Sequence, residues 1–226
     1  ITEIKKLLPS EDILTYVFQL ADGTNCAVIY ADGIVNKQLI GDLIARPLSK
    51  LDFSKNTENK QNGDTMYEVK SNFGGENKAG ILLKSTLFPE LKTKTILQDV
   101  IKEVLDGNCL LLIDGERLGF IVGAKLLPNR AIMEPPTDVT VKGPREGFIE
   151  DVKTNMSLVR KRLKSPALRF ETLRVGKRSD TAVTICWLDG VAKTKLKNDI
   201  KAKLQEIDVD VIPDSSYIAA SYKTEK

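Results

Sequence analysis

The chain contains no histidine in its 226 residues. That absence excludes Ser-His-Asp and Cys-His nucleophile systems and His-ligated metal sites. Cysteine is scarce, with Cys26, Cys109 and Cys186 far apart in sequence. An odd, dispersed set does not make a disulfide framework and favours a reducing compartment. Each cysteine lies in or beside an apolar run, so all three are expected as buried strand residues. Aromatics make up 6% of the chain, and no basic run is interleaved with them. Single-strand binders need that interleaving, so nucleic acid is not an expected partner. No apolar run reaches the roughly 18 residues that cross a bilayer. There is no Gly-x-Gly-x-x-Gly after a strand and no Walker-type Gly-Lys-Ser/Thr, so no cofactor is expected. A signal peptide and an initiator Met are also missing, and the first residue is Ile1. The sequence therefore reads as a fragment.

What is present is ordinary in amount: 42% hydrophobic and 29% charged residues. The length supports one large or two small domains with real cores. Charge is uneven. Residues 1–138 hold 16 Lys/Arg and 19 Asp/Glu, while residues 139–226 hold 18 and 12. The change of sign falls at Glu134-Pro135-Pro136-Thr137 and points to two domains with different neighbours. The basic half suits anionic lipid headgroups or an acidic partner, or is simply a solvated mixed surface.

Periodicity supplies the elements. Ile4 to Leu8 reads as a short helix before Pro9. Val17 to Leu20 and Cys26 to Ala31 read as strands around Asp22-Gly23. Asn36 to Arg46 carries a helical stripe. Residues 52–66 and 72–80 read as surface loops, and Ile81 to Lys84 as a short strand. Thr95 to Leu105 is a helix with Ile96, Val100, Ile101 and Val104 on one face, ended at Gly107. Asn108 to Ile113 and Leu118 to Ala124 form a hairpin, apolar on successive residues, so both sheet faces should be covered. Phe148 to Leu163 is the best helix, with a stripe of Phe148, Val152, Met156, Val159 and Leu163. Leu168 to Val175 and Thr181 to Leu188 pair around Gly176-Lys177-Arg178-Ser179. Lys193 to Ile207 is a helix, and Val209 to Ile212 a final strand before Pro213. The expected fold is α/β (α+β), two small subdomains, each a mixed sheet packed with helices. Their bounds are 1–135 and 148–226, with a hinge over 136–147.

Two segments echo each other: Asp32-Gly33-Ile34-Val35 and Asp189-Gly190-Val191-Ala192 each follow an apolar strand and open a helix. Glycine after Asp permits the positive φ of a tight strand-to-helix turn. Asp32, Asp114 and Asp189 all precede Gly, and converging carboxylates would serve metal or proton chemistry. Asp-Gly is equally the commonest turn dipeptide. No nucleophile–base pair is visible, so an enzyme is not expected.

The run Lys142-Gly143-Pro144-Arg145-Glu146-Gly147-Phe148-Ile149-Glu150, with Asn155, Leu158, Arg160, Arg162 and Leu163, resembles the signature of the A subunits of bacterial spore germinant receptors. Leu168 to Arg178, Thr181 to Ala192, Ile207 to Asp210 and the lead-in Glu134-Pro135-Pro136-Thr137-Asp138 add to the likeness, which is specific over residues 130–214 and weak over 1–129. The resemblance implies a subunit working with B and C subunits at the spore inner membrane, sensing nutrients and triggering ion release. It implies a domain on the spore-core side, joined to membrane helices beyond this sequence, within a homo-oligomeric complex. Gly143 and Pro144 are expected to fix a hinge. Arg145 and Glu146 make an ion pair, or Arg145 joins Arg160 and Arg162 at a subunit or anion contact. Asn155 is expected to hydrogen-bond a neighbouring loop or contact a subunit. The competing reading is a two-lobed module that binds an amino acid or sugar germinant directly.

Overall fold

A computed structural model describes residues 1–50, 91–126 and 147–223. Contacts divide the chain into two units, one of Ile1–Ile4 with Leu14–Leu127 and one of Lys5–Ile13 with Pro128–Lys226. The short N-terminal segment 5–13 thus belongs with the C-terminal half, which the sequence reading placed wholly after the hinge.

The first unit is built on a five-stranded sheet in the order β1-β2-β4-β5-β3. Its strands are β1 (Ile13–Gln19), β2 (Asn25–Ala31), β3 (Leu91–Lys94), β4 (Cys109–Ile113) and β5 (Gly119–Val122). The β2–β4, β4–β5 and β3–β5 pairs are all antiparallel, so these pairs do not show the mixed sheet expected. The short β4–β5 connection explains that hairpin, since parallel strands need a crossover of a dozen or more residues.

Both faces of β4 and β5 are covered, as their continuous apolar runs require. The helical segment α2 consists of Lys37–Leu39, a π-helical Ile40–Ala45 and Arg46–Ser49. Its Ile40, Ile44 and Leu48 pack in one cluster with Val28, Leu111 and Phe120. Alternation sends Ala27, Ile29, Leu110 and Ile121 to the opposite face. There α3 (Leu97–Leu105) packs on β2 and β4 with Val100, Ile101, Val104 and Leu105 buried. Ile96 lies outside this helix and is exposed, contrary to its place in the expected stripe. At Gly107 (φ 92°) the amide reaches back to the Val104 carbonyl, and an added Cβ would sit 3.1 Å from the Ile34 carbonyl oxygen.

The second unit holds α4 (Val152–Arg162), β6 (Leu168–Val175), β7 (Thr181–Leu188), α5 (Thr194–Glu206) and α6 (Ser215–Lys223). β6 and β7 pair antiparallel from Leu168↔Leu188 to Val175↔Thr181. The expected strand at 209–212 is not one. It is an irregular run pinned to the β6–β7 turn, whose Lys177 and Arg178 amides donate to the Val209 and Asp210 carbonyls at 2.9 and 2.8 Å. The turn's free amides outcompete a sheet edge there, and Pro213 has no N–H with which to extend a ladder.

The two echoing segments share their element spacing and their turn conformation. β2 ends at Ala31 and β7 at Leu188, and the following helices begin at Lys37 and Thr194, both 157 positions apart. Gly33 and Gly190 have φ of 77° and 79°.

Candidate functional site

The motif run enters the described residues at Gly147. Gly143, Pro144, Arg145 and Glu146 lie outside them, as do the loops at 52–66 and 72–80 and the strand expected at 81–84. The helix begins three to four residues later than its apolar stripe suggests. Asp151 is its N-cap, and Phe148 stands before it, 69% exposed. Asp151 wins because its carboxylate satisfies orphan helix donors. It accepts from the Thr154 hydroxyl at 2.6 Å and the Thr154 amide at 2.9 Å. Those two bonds, the hydroxyl's first, hold its carboxyl below the usual range.

Asn155 closes a second tie. Its side-chain oxygen accepts from the Ile149 amide at 2.8 Å, and its Nδ2 donates to the Ile149 carbonyl at 2.6 Å. One carboxamide thus engages both backbone groups of a single motif residue. The loop partner sought for Asn155 is therefore Ile149, six positions upstream. Asp151 and Asn155 together fix the path from Gly147 into α4.

Arg160 is buried, at 1% exposure. Its Nε and Nη2 donate to the two carboxylate oxygens of Asp12 at 2.7 and 2.9 Å. Nη2 also reaches the Leu168 carbonyl at 3.0 Å, and Nη1 the Ser165 carbonyl at 2.9 Å. The guanidinium carbon lies 5.3 Å from the Phe170 ring centre. Ser10 joins the network by donating to Asp12 at 2.5 Å and accepting from the Phe170 amide at 3.0 Å. Arginine suits this position because its planar fork binds a carboxylate bidentately. Arg160 is thus an internal clamp on residues 10–12, not the surface contact for which it was grouped with Arg162. Arg162 is exposed at the end of α4.

Ser10, Asp12 and Phe170 were missed in the sequence reading. The available signal was the phase of Arg160, four residues after Met156 and eight after Val152, which puts it on the apolar face. A charge on that face needs a buried partner, though the sequence does not say which.

The Asp-Gly carboxylates serve separate turns. Asp32 accepts from the Gly33 amide and pairs with Lys37 at 2.7 Å. Asp114 follows β4. Asp189 lies 3.3 Å from Arg169 Nε. Among the described residues no group of three or more His, Cys, Asp or Glu is placed to hold a metal. Of the cysteines, Cys26 and Cys109 are buried, and Cys186 is exposed, against expectation. Along β7 the described residues are half-buried or exposed, unlike the buried run of β4.

Comparison with known proteins extends the likeness beyond the motif. The sequence model of the Bacillus/Clostridium GerA spore germination protein family matches residues 2–226. The weak resemblance expected for residues 1–129 is thus an underestimate. Spore germination protein KA of Bacillus subtilis (strain 168) is 28% identical over 221 residues, covering 96% of this chain and 37% of the relative. Spore germination protein GerLA of Bacillus cereus is 27% identical, covering 96% and 41%. The crystal structure of the N-terminal domain of the A subunit of the Bacillus megaterium spore germinant receptor GerK3 matches with a TM-score of 0.66 and 25% identity, covering 100% of this chain and 77% of that one. The chain spans about two fifths of the length of these curated relatives. It belongs to the GerA spore germination protein family.

Proposed function

We propose that this chain is the N-terminal region of a germinant receptor A subunit and relays a nutrient signal to its partner subunits. In this reading it works beside B and C subunits at the spore inner membrane, from the spore-core side. Its output is ion release and germination, and it carries no catalytic step of its own. Among the described residues no helix is long and apolar enough to cross a membrane.

The observation that carries the reading is the contrast at the motif. Its backbone is tied at Ile149 by Asn155, while the Phe148 ring beside it is left 69% exposed. A held backbone that presents an unburied aromatic is the anatomy of an anchor awaiting a pocket on a partner. The tie makes the anchor's position predictable, which lowers the ordering cost of docking.

The test is made in spores carrying the full-length protein with Phe148→Ser or Asn155→Ala. Both variants should accumulate like the parent protein but respond poorly to nutrient, read as ion release. Wild-type responses from both variants, at normal protein levels, would sink the proposal.

A further inference from the structure

The β7–α5 corner of the second unit carries a surface that the fold does not explain. Val191 and Leu196 are large apolar side chains five positions apart, exposed by 76% and 57%. Between them stand Lys193 and Lys195, both exposed and with no ion pair among the described residues. Lys197 lies over the Trp187 ring, 5.1 Å from its centre. Further along α5, Lys201 pairs with Glu171. Asp199 is the single acidic residue between positions 190 and 205, and Asp189, just before the turn, is held by Arg169.

The lysines do not serve the helix. Lys193 occupies the N-cap of α5 with no side-chain cap bond, and the first turn has no acidic residue. Positive charge at that end opposes the helix dipole. The two apolar side chains do not serve the core either, since α5 buries Leu204. A sequence that breaks local rules twice at one corner, with nothing gained in the fold, marks a place shaped for something outside it.

We propose that this corner docks on an anionic lipid surface, with Val191 and Leu196 entering the headgroup boundary and Lys193 and Lys195 lying against lipid phosphates. The charge is complementary, and lysine is suited to it. Its flexible stem lies along apolar surface while the ammonium stays with the phosphates. An acidic protein partner would more often be met by arginine forks that read carboxylates bidentately, and none stands between positions 179 and 226. The inference rests on the receptor reading only in supposing that a bilayer is within reach. Docking would hold the second unit against the membrane in a fixed orientation.

Trp187 is the one tryptophan in the chain and touches α5 through Lys197, so its emission reports on this corner. The purified 226-residue chain is mixed with vesicles of phosphatidylcholine alone, or of phosphatidylcholine with phosphatidylglycerol. Sedimentation with the anionic vesicles and a blue shift of Trp187 emission are expected, both weakened by salt. Replacing Lys193 and Lys195 by Gln should weaken binding about fivefold per lysine. Val191→Ser with Leu196→Ser should weaken it about tenfold or more. All four side chains are exposed, so circular dichroism should be unchanged. No binding, equal binding to neutral vesicles, or binding untouched by these substitutions would overturn the proposal. Those outcomes leave the Phe148 germination test intact, so the two readings fail separately.

Discussion

Arg160 holds both carboxylate oxygens of Asp12, 148 positions away in sequence, in a bidentate pair that is almost wholly buried. The pair fastens residues 10–12 to β6, helped by Glu11, whose side chain accepts from the Thr172 amide at 2.8 Å. Asp12 leads directly into β1.

Removing one partner leaves the other charge buried and unpaired, which costs about 3–5 kcal/mol. Arg160→Met and Asp12→Ala should each destabilise the second unit by that order. The double variant should lose less than the two singles combined, by about 0.5–3 kcal/mol, because no orphan charge remains. Denaturant unfolding followed through Trp187 reads the unit concerned, since that residue lies in β7. Additive losses would mean that the pair is not coupled as its geometry requires.

Asp151 makes a pH-dependent prediction. Its carboxyl lies below the usual range because the Thr154 hydroxyl and amide bond the charged form. With the folded value depressed, the cap's contribution is fully present above the unfolded carboxylate range, near pH 4. It is lost as pH falls through the folded value. Asp151→Ala should cost about 1 kcal/mol at neutral pH, and less in acid. Asp151→Asn should keep most of the cap and lose the pH dependence. Carboxyl NMR titration of Asp151 checks the sign, and a midpoint at or above that of a free aspartate would refute the cap.

What was legible in the sequence followed from local period and local chemistry. β4 and β5 were readable because their runs are apolar on every residue. α3 was readable from Val100, Ile101 and Val104, and its end from Gly107. β3 was not readable. Leu91-Lys92-Thr93-Lys94 is short and mostly polar, as an edge strand can be. The start of α4 was misplaced because Phe148 fits the apolar stripe, whereas Asp151 fixes the end through a cap bond to Thr154 that a hydrophobic pattern does not contain. Arg160 was misread for a deeper reason. Beside Lys161 and Arg162 it looks like one of three charges suited to a helix C-terminus, and its real partner lies in Ser10-Glu11-Asp12, beyond any local signal. Only the helical phase separated it from its neighbours.

The cysteines give a chemical readout of the same distinction between covered and open strands. Burial pushes the Cys109 thiol up to about 12, and Cys26 is buried in the same cluster. The thiolate is the nucleophile, so Cys109 should be inert at neutral pH in the folded protein. Cys186 is exposed on β7, with a thiol raised by partial burial but open to solvent. A disulfide reagent should therefore modify one thiol in the native chain and three in denaturant, out of the three present. Cys186→Ser should abolish the native reaction and leave two thiols titratable on unfolding. The native rate should rise with pH through the alkaline range, as the thiolate fraction grows. Fast native modification of two or three thiols would mean that the β2–β4 face opens readily, against the close packing of Ile40, Ile44 and Leu48 in the same cluster.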